Sequence, residues 1–124
     1  MQSDGLGILL ISEGHERAHY AFVLASGAAA VGRDVVLFAT NQGCRALLAD
    51  LEPLLGPRDA AIRATGVAGL AELREACIEL GVRLIVCEAG LRMADMSAAA
   101  LAETVEIAGV ITFLNAARGQ LLTL

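Results

Sequence analysis

The sequence predicts an α/β domain in which helices cover a mostly parallel β-sheet. Short, strongly apolar runs recur along the chain, and such runs are typical of strands buried on both faces. They alternate with longer segments of helical periodicity, which is the pattern of strand–helix–strand units. A chain of 124 residues has the usual length of one domain, so residues 1–124 are predicted to form a single unit.

The amino-terminal half is predicted to contain strands at residues 6–11 and 34–39 and helices at residues 15–31 and 41–48. Gly32 is a natural end for the first helix, and Thr40 or Asn41 is a natural cap for the second. The segment 49–65 contains both prolines and is predicted to be an irregular loop.

The carboxyl-terminal half is predicted to contain strands at 82–87, 103–107 and 120–124 and helices from 67 or 69 to 80, at 90–95 and at 109–118. Right-handed crossovers leave few arrangements for five such strands. We therefore predict a flavodoxin-like three-layer sandwich with a five-stranded, mostly parallel sheet in the order 2-1-3-4-5.

Charge and aromatic content argue against nucleic-acid binding. The net charge is −5, every basic residue is an arginine, and the only aromatic residues are one tyrosine and three phenylalanines. The arginines are scattered singly, so neither a basic stripe nor a stacking platform is present.

Apolar residues make up 56% of the chain, yet no membrane span is expected. The longest stretch without Arg, Asp or Glu, residues 18–32, is shorter than the roughly 20 apolar residues that a span needs. No signal peptide is evident, and three cysteines without metal-ligand spacing fit a reducing cytoplasm. The surplus apolar surface predicts a homo-oligomer.

Cys87 is the strongest candidate for a functional residue. It stands where a predicted strand ends and a helix begins, and ligands collect at the carboxyl ends of strands in open α/β sheets. The N–H groups and dipole of the following helix favour a thiolate. In the assumed strand order, the residues that would line a crevice with it are Ser12, Glu13, His15, Glu88 and Gly90.

Five segments follow one another in a characteristic order and cover nearly the whole chain: residues 12–18, 25–32, 35–40, 81–87 and 105–114. Through the order and spacing of these segments, the chain resembles the DsrE/DsrF-like sulfur-relay family, in particular its single-domain members. The resemblance implies a flavodoxin-like fold, homo- or hetero-oligomers, and a cysteine that carries sulfur as a persulfide. The family cysteine at the end of this strand corresponds to Cys87.

Two segments depart from the family pattern. Asn41 lies in the run Thr-Asn-Gln-Gly-Cys where relatives often have an aromatic-rich segment, and Glu-Ala-Gly replaces the methionines common after the family cysteine. Both segments are expected to line the pocket, with Asn41 as a further pocket candidate, so the substrate and partner can differ from those of relatives.

Each candidate also has a structural interpretation. Cys87 can be a small buried apolar residue, and the Glu88 carboxylate would disfavour a thiolate beside it. Cys44 could be a resolving thiol, but the assumed order places its strand about 10 Å from that of Cys87. Cys77 shares an apolar helical stripe and is expected in the core.

His15 and His19 stand four residues apart, a spacing that can bind a metal, but no third ligand is evident. We expect no metal, and His15 is instead a candidate proton donor or thiolate partner for Cys87. No Gly-rich phosphate loop follows the first strand and the chain contains no lysine, so no nucleotide or other cofactor is expected.

Two functional hypotheses follow. In the first, the protein is a cytoplasmic sulfur carrier or sulfurtransferase that takes sulfane sulfur onto Cys87 from a donor protein or small thiol and passes it to an acceptor. In the second, it is a non-catalytic module that binds a small ligand or supports an assembly, and its cysteine is structural.

Overall fold

The computed structural model of the chain describes residues 5–124 and has a five-stranded, all-parallel β-sheet at its centre. The strands are β1 (Gly5–Leu10), β2 (Asp34–Ala39), β3 (Arg83–Cys87), β4 (Glu106–Ala108) and β5 (Gln120–Thr123). The helices are α1 (His15–Ala30), α2 (Glu52–Ala64), α3 (Leu70–Glu79), α4 (Glu88–Met93) and α5 (Val110–Ala116), with a 3-10 helix, Asn41–Leu47, after β2.

The predicted α/β sandwich is confirmed, whereas the predicted strand order is wrong. The observed order is β4-β3-β2-β1-β5, so β1 lies between β2 and β5 and does not touch β3. Apolar strands buried on both faces fit either order, because the local pattern does not record which strand becomes the lateral neighbour. The register is regular, with Ala39 of β2 opposite Val86 of β3.

The observed order also decides which helix covers which face. From β1 to β4 each crossover moves in the same direction, so right-handed connections place these helices on one face of the sheet. The last crossover reverses direction and brings α5 to the other face. Side chains of β2 and β3 alternate accordingly: Leu37 and Leu84 belong to the larger core under α1 and α3, and Phe38 and Ile85 to a smaller core under α5.

The segment 49–65, predicted to be a loop, is largely helical, which corrects that prediction. Helix α2 covers most of it and is kinked at Gly56, whose φ is 56°. Pro53 lies in the first turn, where a missing N–H costs nothing, and Pro57 directly follows the kink. The prolines therefore begin helical turns here.

The other predicted elements are present, with their ends displaced by a turn or less. Strand β4 is the shortest, and it is tied to β3 by a two-point ion pair in which Arg83 Nε donates to Glu106 Oε2 at 2.7 Å. None of the helices within residues 5–124 is long and apolar enough to cross a membrane.

Candidate functional site

Cys87 lies at the end of one of two neighbouring strands, β3 and β4, and the helices that follow these strands, α4 and α5, pack on opposite faces of the sheet. It ends β3 directly opposite Ala108, the last residue of β4. After β3 the chain enters α4, whose Leu91 packs in the core under α1, while after β4 it enters α5 on the other face. In open α/β sheets, ligands bind at such a reversal, outside the carboxyl ends of the strands. In the observed order, the reversal lies between β3 and β4 rather than between β1 and β3.

The Cys87 side chain caps α4. Its Sγ accepts a hydrogen bond from the Gly90 N–H at 3.3 Å, the role that a serine or aspartate oxygen commonly plays at a helix start. A thiolate accepts such a bond more strongly than a thiol. Cys87 is also 8% exposed, whereas Cys44 and Cys77 are fully buried.

Close packing against the 3-10 helix holds the Gly90 N–H in this position. A Cβ atom added to Gly90 would lie 2.7 Å from the Asn41 backbone nitrogen and 2.8 Å from Thr40 Oγ1. Asn41 itself has a φ of 52°, a left-handed conformation that asparagine tolerates better than most residues. Asn41 thus supports the cap through its backbone, and Gly90 is there because a larger residue would not fit.

Glu88 follows Cys87 but is engaged by a cation. Arg92 lies one turn along α4 and forms an ion pair with the Glu88 carboxylate. Its Nη2 lies 3.0 Å from Glu88 Oε1, and its Nε lies 3.0 Å from Glu88 Oε2. The guanidinium partly offsets the like-charge effect that the Glu88 carboxylate would exert on a thiolate.

Cys44 is closer to Cys87 than the assumed strand order implied, because β2 and β3 are adjacent. Its Sγ donates to the Ala39 carbonyl at 3.7 Å. Burial first, and then the charge of a Cys87 thiolate, raise the pKa of the Cys44 thiol to about 11. The two thiols nevertheless belong to cores on opposite faces of the sheet, Cys44 under α1 and Cys87 under α5.

Cys77 lies in the core, as predicted. It is fully buried on α3, and its Sγ donates to the Phe22 carbonyl at 3.6 Å. Burial raises the pKa of this thiol to about 12, so it stays protonated at neutral pH.

His15 is held by a carboxylate from α2. Its Nε2 lies 2.7 Å from Asp59 Oδ1, which also accepts the Leu70 N–H at 2.8 Å. Burial acts to raise the pKa of Asp59, but the hydrogen bonds from His15 and Leu70 outweigh it and hold this pKa below its usual value. Asp59 was not among the predicted site residues, because its segment was predicted to be a loop.

The residues after β1 form a group separate from Cys87. Strand β2 lies between β1 and β3, which puts their ends about 10 Å apart, and the 3-10 helix crosses this space with its Gly43 N–H donating to the Ile11 carbonyl. Ser12 is half-buried and Glu13 is exposed. The expected approach of Ser12, Glu13 and His15 to Cys87 depended on the wrong strand order.

His19 does not extend His15 into a metal site. Its Nε2 lies 2.9 Å from the Ala68 carbonyl oxygen, and the two imidazole rings stack with centroids 5.3 Å apart. Within the part of the chain that the structure describes, no group of three or more His, Cys, Asp or Glu side chains is placed to hold a metal ion.

Known proteins are similar to this chain in sequence and in fold. The chain is 27% identical to the sulfur carrier protein DsrE2 of Allochromatium vinosum, over 93% of each sequence. The crystal structure of the ychN protein from E. coli superposes with a TM-score of 0.70 over the full length of both chains at 17% identity, which supports the fold alone. Residues 6–120 match the DsrE/DsrF-like family as a whole. The protein therefore belongs to the DsrE/DsrF-like family.

Proposed function

We propose that this protein is a sulfur carrier that holds sulfane sulfur as a persulfide on Cys87. The observation that carries the proposal is the capping hydrogen bond from the Gly90 N–H to Cys87 Sγ at the carboxyl edge of the sheet. The sulfur carrier name of the A. vinosum relative and the family match support a role in sulfur relay.

The transfer requires no outside oxidant or reductant. The Cys87 thiolate attacks the terminal sulfur of a donor persulfide, a new S–S bond forms, and the donor leaves as a thiolate. An acceptor thiolate then attacks the terminal sulfur on Cys87, and the Cys87 thiolate leaves. The Gly90 N–H donates to the Cys87 sulfur whenever it carries negative charge, which favours its role as both nucleophile and leaving group.

The other cysteines are poorer carriers. A thiol with a pKa of about 11 or 12 has almost no thiolate at neutral pH, and both Cys44 and Cys77 lack contact with solvent. Cys87 is the residue of the three that a donor can approach.

The face that carries Cys87 is suited to protein partners. Among residues 5–124, a single short helix, α5, covers this side of the sheet, and Cys87 packs in the same small core as Phe113 of that helix. We propose self-association through this face, because three large apolar side chains of α5 are exposed: Val110, Ile111 and Leu114. Donor and acceptor proteins or small thiols would reach Cys87 at the rim of this surface, in a reducing cytoplasm that keeps the carrier thiol free.

Sulfur loading tests the proposal. The reduced protein, Cys87→Ser and Cys44→Ser are incubated with an inorganic polysulfide, and intact mass is measured before and after reduction. We expect a reducible gain of one sulfur atom in the parent and in Cys44→Ser and none in Cys87→Ser, with unchanged circular dichroism. Equal loading of Cys87→Ser would contradict the proposal, and no loading of any variant would favour a non-catalytic binding module.

A further inference from the structure

Strand β5 forms an open edge of the sheet. Within residues 5–124 it pairs with β1 only. Leu124, directly after β5, turns both of its backbone groups to β1: its N–H donates to the Leu9 carbonyl at 2.8 Å, and its carbonyl accepts the Ile11 N–H at 2.9 Å. Backbone groups alternate in direction along a strand, so those of Leu121 and Thr123 point away from β1, toward the open edge.

This edge carries none of the features that usually protect an edge strand. Edge strands are commonly blunted by charged side chains, proline or bulges. Strand β5 has the sequence Gln-Leu-Leu-Thr and pairs with β1 in unbroken register. At the opposite edge of the sheet, β4 carries Glu106, which is ion-paired with Arg83. The open edge of β5 is therefore suited to pairing with another strand.

Apolar side chains flank the open edge on both faces of the sheet. Leu121 is 55% exposed and lies on the α5 face, since a Cβ added to Gly7 would come within 2.7 Å of Leu121 Cδ2 and 2.8 Å of Ala117 Cβ. Leu122 points to the other face, where it packs against the larger core and stays half-buried. Leu121 thus continues the exposed apolar surface of α5, and the edge and that helix form one surface.

Two copies of β5 match each other in antiparallel orientation around a two-fold axis at Leu122. In that register, Leu121 of each copy lies opposite Thr123 of the other, and both residues have their backbone groups on the open edge. They exchange N–H···O bonds in both directions, as a hydrogen-bonded antiparallel pair does. Leu122 lies opposite itself in a non-hydrogen-bonded pair, where side chains approach most closely. The edge is therefore self-complementary, as a two-fold interface requires.

Charges at the two ends of β5 favour a second copy in this orientation. Exposed Arg118 lies just before the strand. At the other end, the Ser12 N–H donates to the Leu124 carbonyl at 3.4 Å, and exposed Glu13 follows Ser12. Antiparallel pairing brings the basic end of one strand beside the acidic end of the other, whereas parallel pairing would bring like charges together.

We propose that two copies of this chain pair through β5 and form one continuous sheet. The antiparallel β5 strands form the centre of the interface. Leu121 and the exposed side chains of α5 flank the strands on one face, and the paired Leu122 side chains lie on the other. This pairing rests on the self-association proposed above and specifies its geometry, and it does not involve the Cys87 thiol.

Cysteine cross-linking in a Cys87→Ser background tests the register, independently of whether Cys87 carries sulfur. Added Leu122→Cys should form a disulfide-linked dimer when micromolar protein is treated with copper phenanthroline. The reason is that Cα atoms of a non-hydrogen-bonded pair lie about 4.5 Å apart, within the span of a disulfide. Gln120→Cys is the matched control on the same face. In this register it lies about 13 Å from its counterpart in the second copy, so it should remain monomeric in denaturing electrophoresis.

Thr123→Pro tests the backbone pairing. Proline removes an N–H on the open side and leaves the bonds to β1 in place, which is why edge strands tolerate it. Thr123→Val keeps this N–H and is the matched control. Light scattering at micromolar concentration should give the mass of a monomer for Thr123→Pro and the parent's mass for Thr123→Val, with the same circular dichroism for all three proteins.

Charge reversal tests the orientation. Glu13→Arg and Arg118→Glu should each weaken self-association by about threefold or more, and combining them should restore it. The proposal is overturned if Leu122→Cys gives no cross-linked dimer, if Gln120→Cys is cross-linked equally well, or if Thr123→Pro retains the parent's mass. A double charge-reversal variant that associates more weakly than either single variant would also overturn it, because the two charges would then not face each other.

Discussion

Substituting Gly90 with alanine should impair Cys87 without touching the thiol itself. The backbone of Gly90 does not have a positive φ, so alanine is compatible with its conformation. Space is the obstacle, because the new Cβ would lie 2.7 Å from the Asn41 nitrogen and 3.1 Å from Thr40 Cα. In the parent protein, the Gly90 nitrogen lies 3.3 Å from Cys87 Sγ. In the variant, the start of α4 must move away from the 3-10 helix, and the Gly90 N–H then loses its alignment with this sulfur.

The size of the effect follows from the hydrogen bond. A hydrogen bond to a charged acceptor contributes about 1.5–3 kcal/mol. About half of such a change is expressed in the rate at which a sulfur nucleophile attacks, so losing the lower value should slow the alkylation of Cys87 by about threefold. The forced packing should also cost about 1–3 kcal/mol of stability.

The assay is the rate of alkylation of the native protein by limiting iodoacetamide, followed by mass spectrometry, together with urea unfolding. Gly27→Ala is the matched control, because a Cβ there meets nothing within 4 Å in the interior of α1. This control should react at the parental rate and gain about 0.5–1 kcal/mol of stability. A Gly90→Ala protein that reacts as fast as the parent and unfolds at the same urea concentration would refute the reasoning.

Three further predictions concern the thiols, the buried ion pair and the exposed face. Cys87 should be alkylated in the folded protein well before the other two cysteines, whose pKa values are raised to about 11 and 12, and peptide mapping that finds either of those labelled first would contradict this. Asp59→Asn should lower the free energy of unfolding by about 2–3 kcal/mol at neutral pH. Because the Asp59 pKa is lowered in the folded state, the difference in unfolding free energy between parent and Asp59→Asn should persist above the usual aspartate pKa. It should shrink as the pH falls through about 4 and below. Urea unfolding across pH measures this difference, and a value that does not change with pH would contradict the prediction. Ile111→Glu should reduce the mass measured by light scattering to that of a monomer at micromolar concentration. Val31→Glu, at a still more exposed position directly after α1, should leave the mass unchanged. Equal masses for parent and Ile111→Glu would contradict self-association through the face that α5 covers.

The sequence predicted most elements of the fold because strand burial and helix ends are local properties. It predicted that Cys87 ends a strand and begins a helix, and the structure shows that Cys87 caps that helix. It did not predict the lateral order of the strands. That order depends on which edge each crossover joins, and the apolar runs of β1, β2 and β3 are compatible with either arrangement.

The misplacement of His15 follows from the same cause. With β1 and β3 as neighbours, His15 would face Cys87, but β2 lies between them and His15 instead meets Asp59. Asp59 could not be anticipated, since two prolines made its segment resemble a loop. A proline in the first turn of a helix and one after a glycine kink leave the same sequence signature as an irregular segment.

The most direct test of the central claim is whether a sulfur atom loaded onto Cys87 is transferred to an acceptor thiol. The polysulfide-treated protein is freed of donor, mixed with a small acceptor thiol under anaerobic conditions, and both partners are followed by mass spectrometry with trapping of persulfides. A carrier should lose its added sulfur from the Cys87 peptide while an equal amount of acceptor persulfide appears, and Cys87→Ser should transfer none. An added sulfur that stays on the protein, or that is transferred equally by Cys87→Ser, would contradict the assignment of Cys87 as a sulfur carrier.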